Sequence, residues 1–334
     1  MTCLHRLKIL LPFLVLLYVM SVSAVGQSAV ITLVFPSGSR SLAMGEVGTA
    51  LADDEQVLFY NPAGLGMNNS RWRGGAVTEF YEALLPAFHI PDLWHFHFAG
   101  CYQPPPITNV GGFGCDMNYL NFGYNTYSDS NGNLTGGANS YEYVLTGGWG
   151  FNFEELGLKN HFFGIGAKFV YSALAPGIGT NSSYRGTTSN LPNPSDIFTQ
   201  SGNGVGTTVA FDIGYIWRFL PFMRFGCNFA NMGPSIYYLH KDQADPIPFT
   251  INAALAYKDD FSDKSFANIR FLEICAETRF DREVVKNYPD KSPDPFWKAI
   301  NTDLLHDTSM TFQEELDEIN IHTGVELTFL NTFS

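Results

Sequence analysis

From Trp72 to the end, apolar and polar positions alternate with a period of two. Phe163, Ile165, Ala167, Phe169 and Tyr171 alternate with Gly164, Gly166, Lys168 and Val170. Phe211, Ile213, Tyr215 and Trp217 alternate with Asp212, Gly214, Ile216 and Arg218. The same holds for Ile251, Ala253, Leu255 and Tyr257 against Asn252, Ala254, Ala256 and Lys258, and for Leu272, Ile274, Ala276 and Phe280 against Glu273, Cys275, Glu277 and Arg279. Ten such runs are read, at about 74–85, 93–103, 111–126, 140–153, 162–174, 205–219, 223–231, 248–258, 269–283 and 320–333. Their lengths suit a tilted strand crossing a bilayer, which needs about ten residues. A soluble β-sandwich also alternates. Aromatic residues near run ends (Tyr171, Trp217, Tyr257) and the bulk of the uncharged face favour the membrane.

Residues 36–66 break the period. Met44, Val47, Gly48 and Leu51 recur at helical spacing with Ser41 as a plausible N-cap, but Gly45 and Gly48 each cost about 1 kcal/mol inside a helix. Asp53-Asp54 ends that run, Val57 to Tyr60 is apolar, and Asn61-Pro62 signals a turn. The expected geometry is a short small-residue element tucked inside a sheet that curls around it. Two insertions interrupt the strands. Residues 175–204 are rich in Gly, Ser, Thr, Asn and Pro and read as a long polar loop. In 284–319, Pro293 and Pro295 precede Phe296 and Trp297, and Phe312, Leu316 and Ile319 follow at helical spacing, predicting one or two short amphipathic helices.

The first 24 residues read as an export signal: basic His5, Arg6 and Lys8, an apolar run from Ile9 to Met20, and the small-residue ending Val22-Ser23-Ala24. That run is too short for a comfortable spanning helix. The net charge of −13 becomes −15 without this segment, with 17 basic against 32 acidic residues, which excludes an electrostatic nucleic-acid binder. Aromatics at 15% and 32 glycines fit strands with one face in lipid. Cys101, Cys115, Cys227 and Cys275 lie inside strand runs without metal spacing.

No phosphate loop, nucleophile elbow or HExxH motif is present, so no catalytic residue and no cofactor is expected. The glycine-rich Gly202–Gly206 opens a strand rather than a helix. His95 and His97 share a strand face with Cys101, opposite Trp94, Phe96 and Phe98; period-two histidines could bind a metal but read more readily as polar interior residues. Glu273, Glu277 and Arg279 also share a face, either as an acid/base pair or, in the preferred reading, as an interior ion cluster that could include Asp53 and Asp54.

The order Ser39-Arg40, Met44-Gly45, Gly48, Leu51-Ala52-Asp53-Asp54, then Tyr60-Asn61-Pro62-Ala63-Gly64 resembles the N-terminal plug of outer-membrane barrels of the PorV/PorQ and FadL-like kind. Asn231-Met232-Gly233-Pro234 with Ile236-Tyr237 and Pro246-Ile247-Pro248-Phe249 resembles a hairpin of PorV-type proteins, and Asp294 to Ala299 resembles their insertion. The resemblance implies an all-β, antiparallel transmembrane barrel with a short helical plug: residues 1–24 as signal peptide, 25–70 as plug and 71–334 as barrel. Arg40, Met44, Gly45, Gly48, Asp53, Asp54, Asn61, Pro62 and Gly64 would form the plug, and Glu273, Glu277 and Arg279 a polar lumen cluster. Related barrels are thought to have fourteen strands, so either C-terminal strands are missing or a smaller ten-strand barrel closes. The implied role is in type IX protein secretion, accepting the C-terminal domains of cargo and working with other secretion proteins. The alternative is a FadL-like channel for hydrophobic small molecules. Either role places the chain among lipid in the outer membrane of a Gram-negative-type bacterium.

Overall fold

A computed structural model describes residues 28–67, 71–80, 93–103, 111–128, 131–154, 157–176, 204–262, 270–286, 288, 292–305 and 318–329. The expected signal segment, most of the 175–204 loop, and Phe312 and Leu316 lie outside these residues. All ten strand runs are present, except that 81–85 and 330–333 of the first and last lie outside the described residues: β1 (Arg71–Phe80), β2 (Trp94–Gln103), β3 (Gly112–Ser128), β4 (Leu134–Asn152), β5 (His161–Ala173), β6 (Val205–Leu220), β7 (Met223–Met232), β8 (Thr250–Ser262), β9 (Arg270–Glu283) and β10 (Asn320–Phe329). They form one antiparallel sheet in sequence order from β1 to β10. Short turns join β4 to β5 and β6 to β7 at one end. Apart from the five-residue link between β3 and β4, the connections at the other end, such as 233–249 between β7 and β8, are longer.

The register gives the two faces opposite chemistry, because directly paired residues share a face. On one face lie Phe98, Leu145, Ile165, Val209, Phe211, Ile213, Phe229, Val325 and Leu327, all substantially exposed. Aromatic side chains bracket this apolar field. Toward the long-loop end Tyr119, Tyr141, Tyr143 and Tyr171 stack in series, with centroids 4.9–5.9 Å apart and Trp94 5.0 Å from Tyr119. Toward the short-turn end sit Trp149, Phe151, Phe153 and Phe163, and beside them His161, Tyr215 and Trp217. Along β4 the two belts are the ten residues from Tyr141 to Phe151 apart. At about 3.3 Å per residue and a tilt near 40°, that spans about 25 Å, the height of the lipid-facing band in outer-membrane barrels. This is an all-β sheet of the outer-membrane barrel type. Among the described residues no helix is long and apolar enough to cross a membrane.

Two sequence expectations need correction. Tyr257 does not join an aromatic belt: it is fully buried under Phe222 of the β6–β7 turn, and its hydroxyl donates to Asp259. The helical spacing of Met44, Val47, Gly48 and Leu51 does not make a helix there. Helix α1 is Ser39–Ala43, so Ser41 lies within it, Gly38 precedes it, and Met44 follows its end. Beyond it Gly45, Glu46 and Ala52 take positive φ, and the amides of residues 48–51 turn to a side chain on β9 instead of to the preceding turn. A second short helix, α2, covers Val57–Tyr60. Asn61, whose side chain accepts from Ala63 N, caps a 3-10 turn over Pro62–Gly66.

The other face of the sheet closes on residues 28–67. The five-residue turn Pro62–Gly66 contacts five strands, β2 through β6. Laid flat, five strands at about 4.8 Å spacing would be about 19 Å wide, whereas a five-residue 3-10 turn is about 10 Å long. The sheet must therefore curl around it. From the long-loop end, residues 233–249 also fold inward. Ile236 and Ile247 join Val30 and Leu33 in a buried cluster with Val144, Val170 and Ala210 of β4, β5 and β6. The 284–319 insertion contributes α3 (Phe296–Ala299), continued by a wide helical turn over Ile300–Leu305, whose Phe296, Ala299, Ile300 and Leu304 pack with Phe249 and Val284.

Candidate functional site

The interior seat of residues 28–67 brings together most of the residues singled out in the sequence. Strands β3 to β7 meet the segment with glycine. Side-chain atoms added at Gly164 and Gly214 would overlap Pro62 and Asn61, and one at Gly150 would come 2.8 Å from the Pro62 carbonyl. Wall and interior backbone touch there because no Cβ intervenes. Asn61 spans the joint: its Nδ2 donates to the Thr49 carbonyl at 2.7 Å and to the Tyr215 and Cys227 carbonyls of β6 and β7. Asn228 returns a hydrogen bond to the Tyr60 carbonyl. Gly64 is itself pressed on Ala52 and Val57. Leu58, Leu65 and Ala63 are buried with Cys101, Phe162 and Ile216.

Strands β7 to β10 meet the segment mainly with charge. Arg40 pairs with Asp53 at 2.9 Å, Asp54 at 3.1 Å and Glu326 of β10 at 2.8 Å. Asp53 also takes Lys258 of β8 at 2.7 Å and lies 3.5 Å from Arg224 of β7; Lys258 continues to Glu273 at 3.1 Å. Burial works to raise the Asp53 pKa, but Lys258, Arg40 and Arg224 together hold it well below the usual carboxylate range. Burial works against charge on Arg40 too, and Asp53 with Glu326 and Asp54 overrides it, holding its pKa above the ordinary value. Asp54 goes the other way: burial raises its pKa despite Arg40, and Asp53 adds to the rise.

Glu277 behaves differently from both neighbours with which it was grouped. Its carboxylate, fully buried on β9, accepts from four consecutive backbone amides: Gly48 and Thr49 at 2.9 and 2.7 Å, Ala50 and Leu51 at 3.2 and 2.7 Å. Consecutive amides pointing into one concavity make an anion nest, and the wall supplies its anion. Met44, Val47, Ala50 and Leu51 then bury against Ala254, Ala256 and Cys275. Arg279 pairs with Asp281 at 2.9 Å and lies over the Tyr60 ring. Glu273, Glu277 and Arg279 thus share a strand face but serve three separate contacts. Gly45, with φ of 73°, lies against β10: an added Cβ would stand 2.7 Å from the Thr323 carbonyl.

Several partners escaped the sequence reading. Glu142 on β4 accepts from the Thr32 amide and hydroxyl and from Ser172. Asn118 on β3 accepts from Ser37. Lys168 pairs with Asp212 at 2.8 Å and donates to Asn231, whose amide donates to Asp212. Asn231 sits at φ 62° and begins the inward hairpin. An acid, amide or lysine on the glycine-bearing side of a strand is the signal that marks these positions; strand parity finds the face, but which interior atom each one meets needs the fold. Among the described residues no group of three His, Cys, Asp or Glu is placed to hold a metal.

No protein-family model matches the chain, and no curated protein matches it. Solved structures with similarity include the Ralstonia pickettii toluene transporter TbuX, at 14% identity over 78% of this chain and 79% of that chain with a TM-score of 0.40. The Pseudomonas putida toluene transporter TodX matches at 11% identity over 74% and 70%, with a TM-score of 0.41. A TodX deletion mutant described as a monoaromatic hydrocarbon channel matches at 12% over the same shares, with a TM-score of 0.42. No PorV-type secretion protein is among these three, and the secretion resemblance gains nothing from them.

Proposed function

We propose that the chain is a non-enzymatic outer-membrane channel for hydrophobic small molecules in which residues 28–67 are the plug. This corrects the order of the sequence reading, which placed protein secretion first. The observation that carries it is the seat itself. The curled wall encloses one of the chain's own segments, held by contacts that are individually reversible: ion pairs around Arg40 and Asp53, and one carboxylate under four amides. Arg40 is 28% exposed, so its pairs are partly screened and each contributes about 1 kcal/mol or little more. Moving residues 39–54 off strands β7 to β10 would leave a path beside a wall whose outer face stays in lipid. Arg40, Asp53, Asp54 and Glu277 are assigned to the latch of that plug, and Gly45, Gly48, Asn61, Pro62 and Gly64 to its close fit, with Met44 its apolar anchor.

The test is uptake by liposomes carrying the purified protein. Toluene, the compound named for the transporters above, is the first probe, with a charged molecule of similar size as control. Faster entry of the apolar probe alone is expected. Equal rates with protein-free liposomes overturn the channel reading.

One observation keeps secretion as the second reading. The Asn231–Phe249 hairpin and the Asp294–Ala299 insertion, the two stretches resembling PorV-type proteins, pack on each other through Phe249, Phe296 and Ala299. Together they make one structure at the long-loop end, where Trp297 is 65% exposed. Recovery of exported C-terminal domains with the purified barrel, lost in Trp297→Ala, would favour it.

A further inference from the structure

The insertion after β9 lies on the outside of the wall. Phe229 of β7 is on the lipid-facing side, Ile251 of β8 stands directly opposite it, and Arg282 of β9 stands opposite Ile251. Paired residues share a face, so Arg282 points to the lipid side, where charge is destabilising to a degree that grows with depth. It is not bare there. Arg282 is 8% exposed, and its guanidinium is held by Glu318 at 2.6 Å and by Asp303, whose carboxylate is 3.8 Å and carbonyl 3.4 Å away. Asp303 belongs to the wide turn that continues α3. The Phe296 ring of α3 meets that of Phe249 at 5.7 Å, and Ile300 and Leu304 pack on the same cluster as Ile251. At the long-loop ends of β8 and β9, α3 and its continuation therefore form a layer between the strands and the bilayer.

What this layer turns away from the wall is an edge of different chemistry. Of residues 292–305, both acids are buried. Asp303 meets Arg282, and Asp294 accepts from the Tyr288 hydroxyl at 2.8 Å, from Lys298 at 2.6 Å and from Thr302 at 3.0 Å. Trp297, Lys298 and Asn301 are left exposed, the indole at 65%. An indole has an apolar body and one N–H donor, and tryptophan is enriched where hydrocarbon gives way to headgroups. A lysine beside it can keep its stem against apolar surface and its ammonium in water. In a chain of net charge −13, an outward edge without an acid meets no repulsion from lipid phosphates.

We propose that the Trp297–Asn301 edge is seated in the lipid headgroup layer of the outer leaflet. The insertion then anchors the rim of β8 and β9 to the membrane surface, and continues around the wall the aromatic belt that β2 to β5 carry. The partner is lipid because the edge is continuous with the lipid-facing side through Arg282, Ile251 and Phe229. This rests on the wall being an outer-membrane barrel and not on what passes through it. It opposes the secretion reading, in which Trp297 must be free to meet cargo.

For the test, the full chain is reconstituted in phosphatidylcholine vesicles whose acyl chains carry bromine either next to the headgroup or near the chain end. Emission of Trp297 is taken as the difference between the wild-type protein and Trp297→Phe. Bromine next to the headgroup is expected to cut that emission about twofold or more, and bromine near the chain end to leave it almost unchanged. Aqueous iodide should quench it several-fold less than in the urea-unfolded chain. Emission untouched by either bromine position and as open to iodide as in the unfolded chain overturns the proposal. Stronger quenching from the chain end also overturns it, because the ring would then lie in the acyl core. Should Trp297→Phe fail to fold, Trp297→Tyr supplies the same difference. Toluene entry is measured separately, so either result can fail without the other.

Discussion

The wall meets the plug in two different ways. From β3 to β7 it gives up side chains, and glycines let backbone lie on backbone at Gly150, Gly164 and Gly214. From β7 to β10, apart from Gly324, where the β10 backbone lies on the Met44 carbonyl, it meets the plug with long charged side chains that reach across to Arg40, Asp53 and the 48–51 amides. Close packing has a steep, short-ranged energy and does not tolerate partial displacement. Ion pairs at partly exposed sites fall off gently and respond to pH and salt. One half of the seat is thus a fixed hinge side, and the other a side that can be let go.

The largest effect should come from filling the hinge side. In Gly164→Val the added atoms meet the Pro62 backbone, which has no rotamer to move, so the cost should reach or exceed the usual 1–3 kcal/mol of overpacking. Exchange protection at residues 61–66 is expected to collapse and bilayer conductance to rise; wild-type values of both would mean the contact is not as tight as described. Next, Glu277→Ala leaves four buried amides without their acceptor, a cost limited by water entering the space the carboxylate vacates. Exchange of amides 48–51 should accelerate at least a hundredfold, with Glu277→Gln intermediate.

A smaller and more diagnostic pair is Asp53→Asn against Asp54→Asn. The folded pKa of Asp53 lies below its unfolded value, so its stabilisation is complete above the ordinary carboxylate range and is lost as pH falls through the folded value. Asp54 is raised, so its favourable contribution belongs to low pH and is lost as pH rises through its folded value. At pH 7, Asp53→Asn should lower the melting temperature of plug protection and Asp54→Asn should leave it unchanged or raise it. Equal losses from the two would refute the asymmetry. This acid window lies below about pH 4 for Asp53. Smallest of all, raising salt from 0.1 to 1 M shortens the Debye length from about 10 to 3 Å. It should speed exchange near Arg40 a few-fold and leave residues 61–66 untouched.

The strands were legible because a two-residue period records a wall with two unlike faces, and all ten runs fell where the alternation put them. The plug was legible only as a break in that period. Its helical spacing at Met44–Leu51 makes no helix because the amides of residues 48–51 are satisfied by Glu277, a residue more than two hundred positions away, which no local propensity reports. The same limit hid Lys258 and Arg224 as partners of Asp53. Tyr257 was misassigned because a turn, not lipid, covers it.

The bond from Arg40 to Glu326 joins residues 286 positions apart. Contacts of such long range form late, since the intervening chain must be ordered before they close. The segment that leaves the ribosome early therefore waits, without its seat, until β8 to β10 have taken their places. During that interval it is an unsheltered stretch of apolar backbone, and chaperone binding to an assembling barrel would find it there.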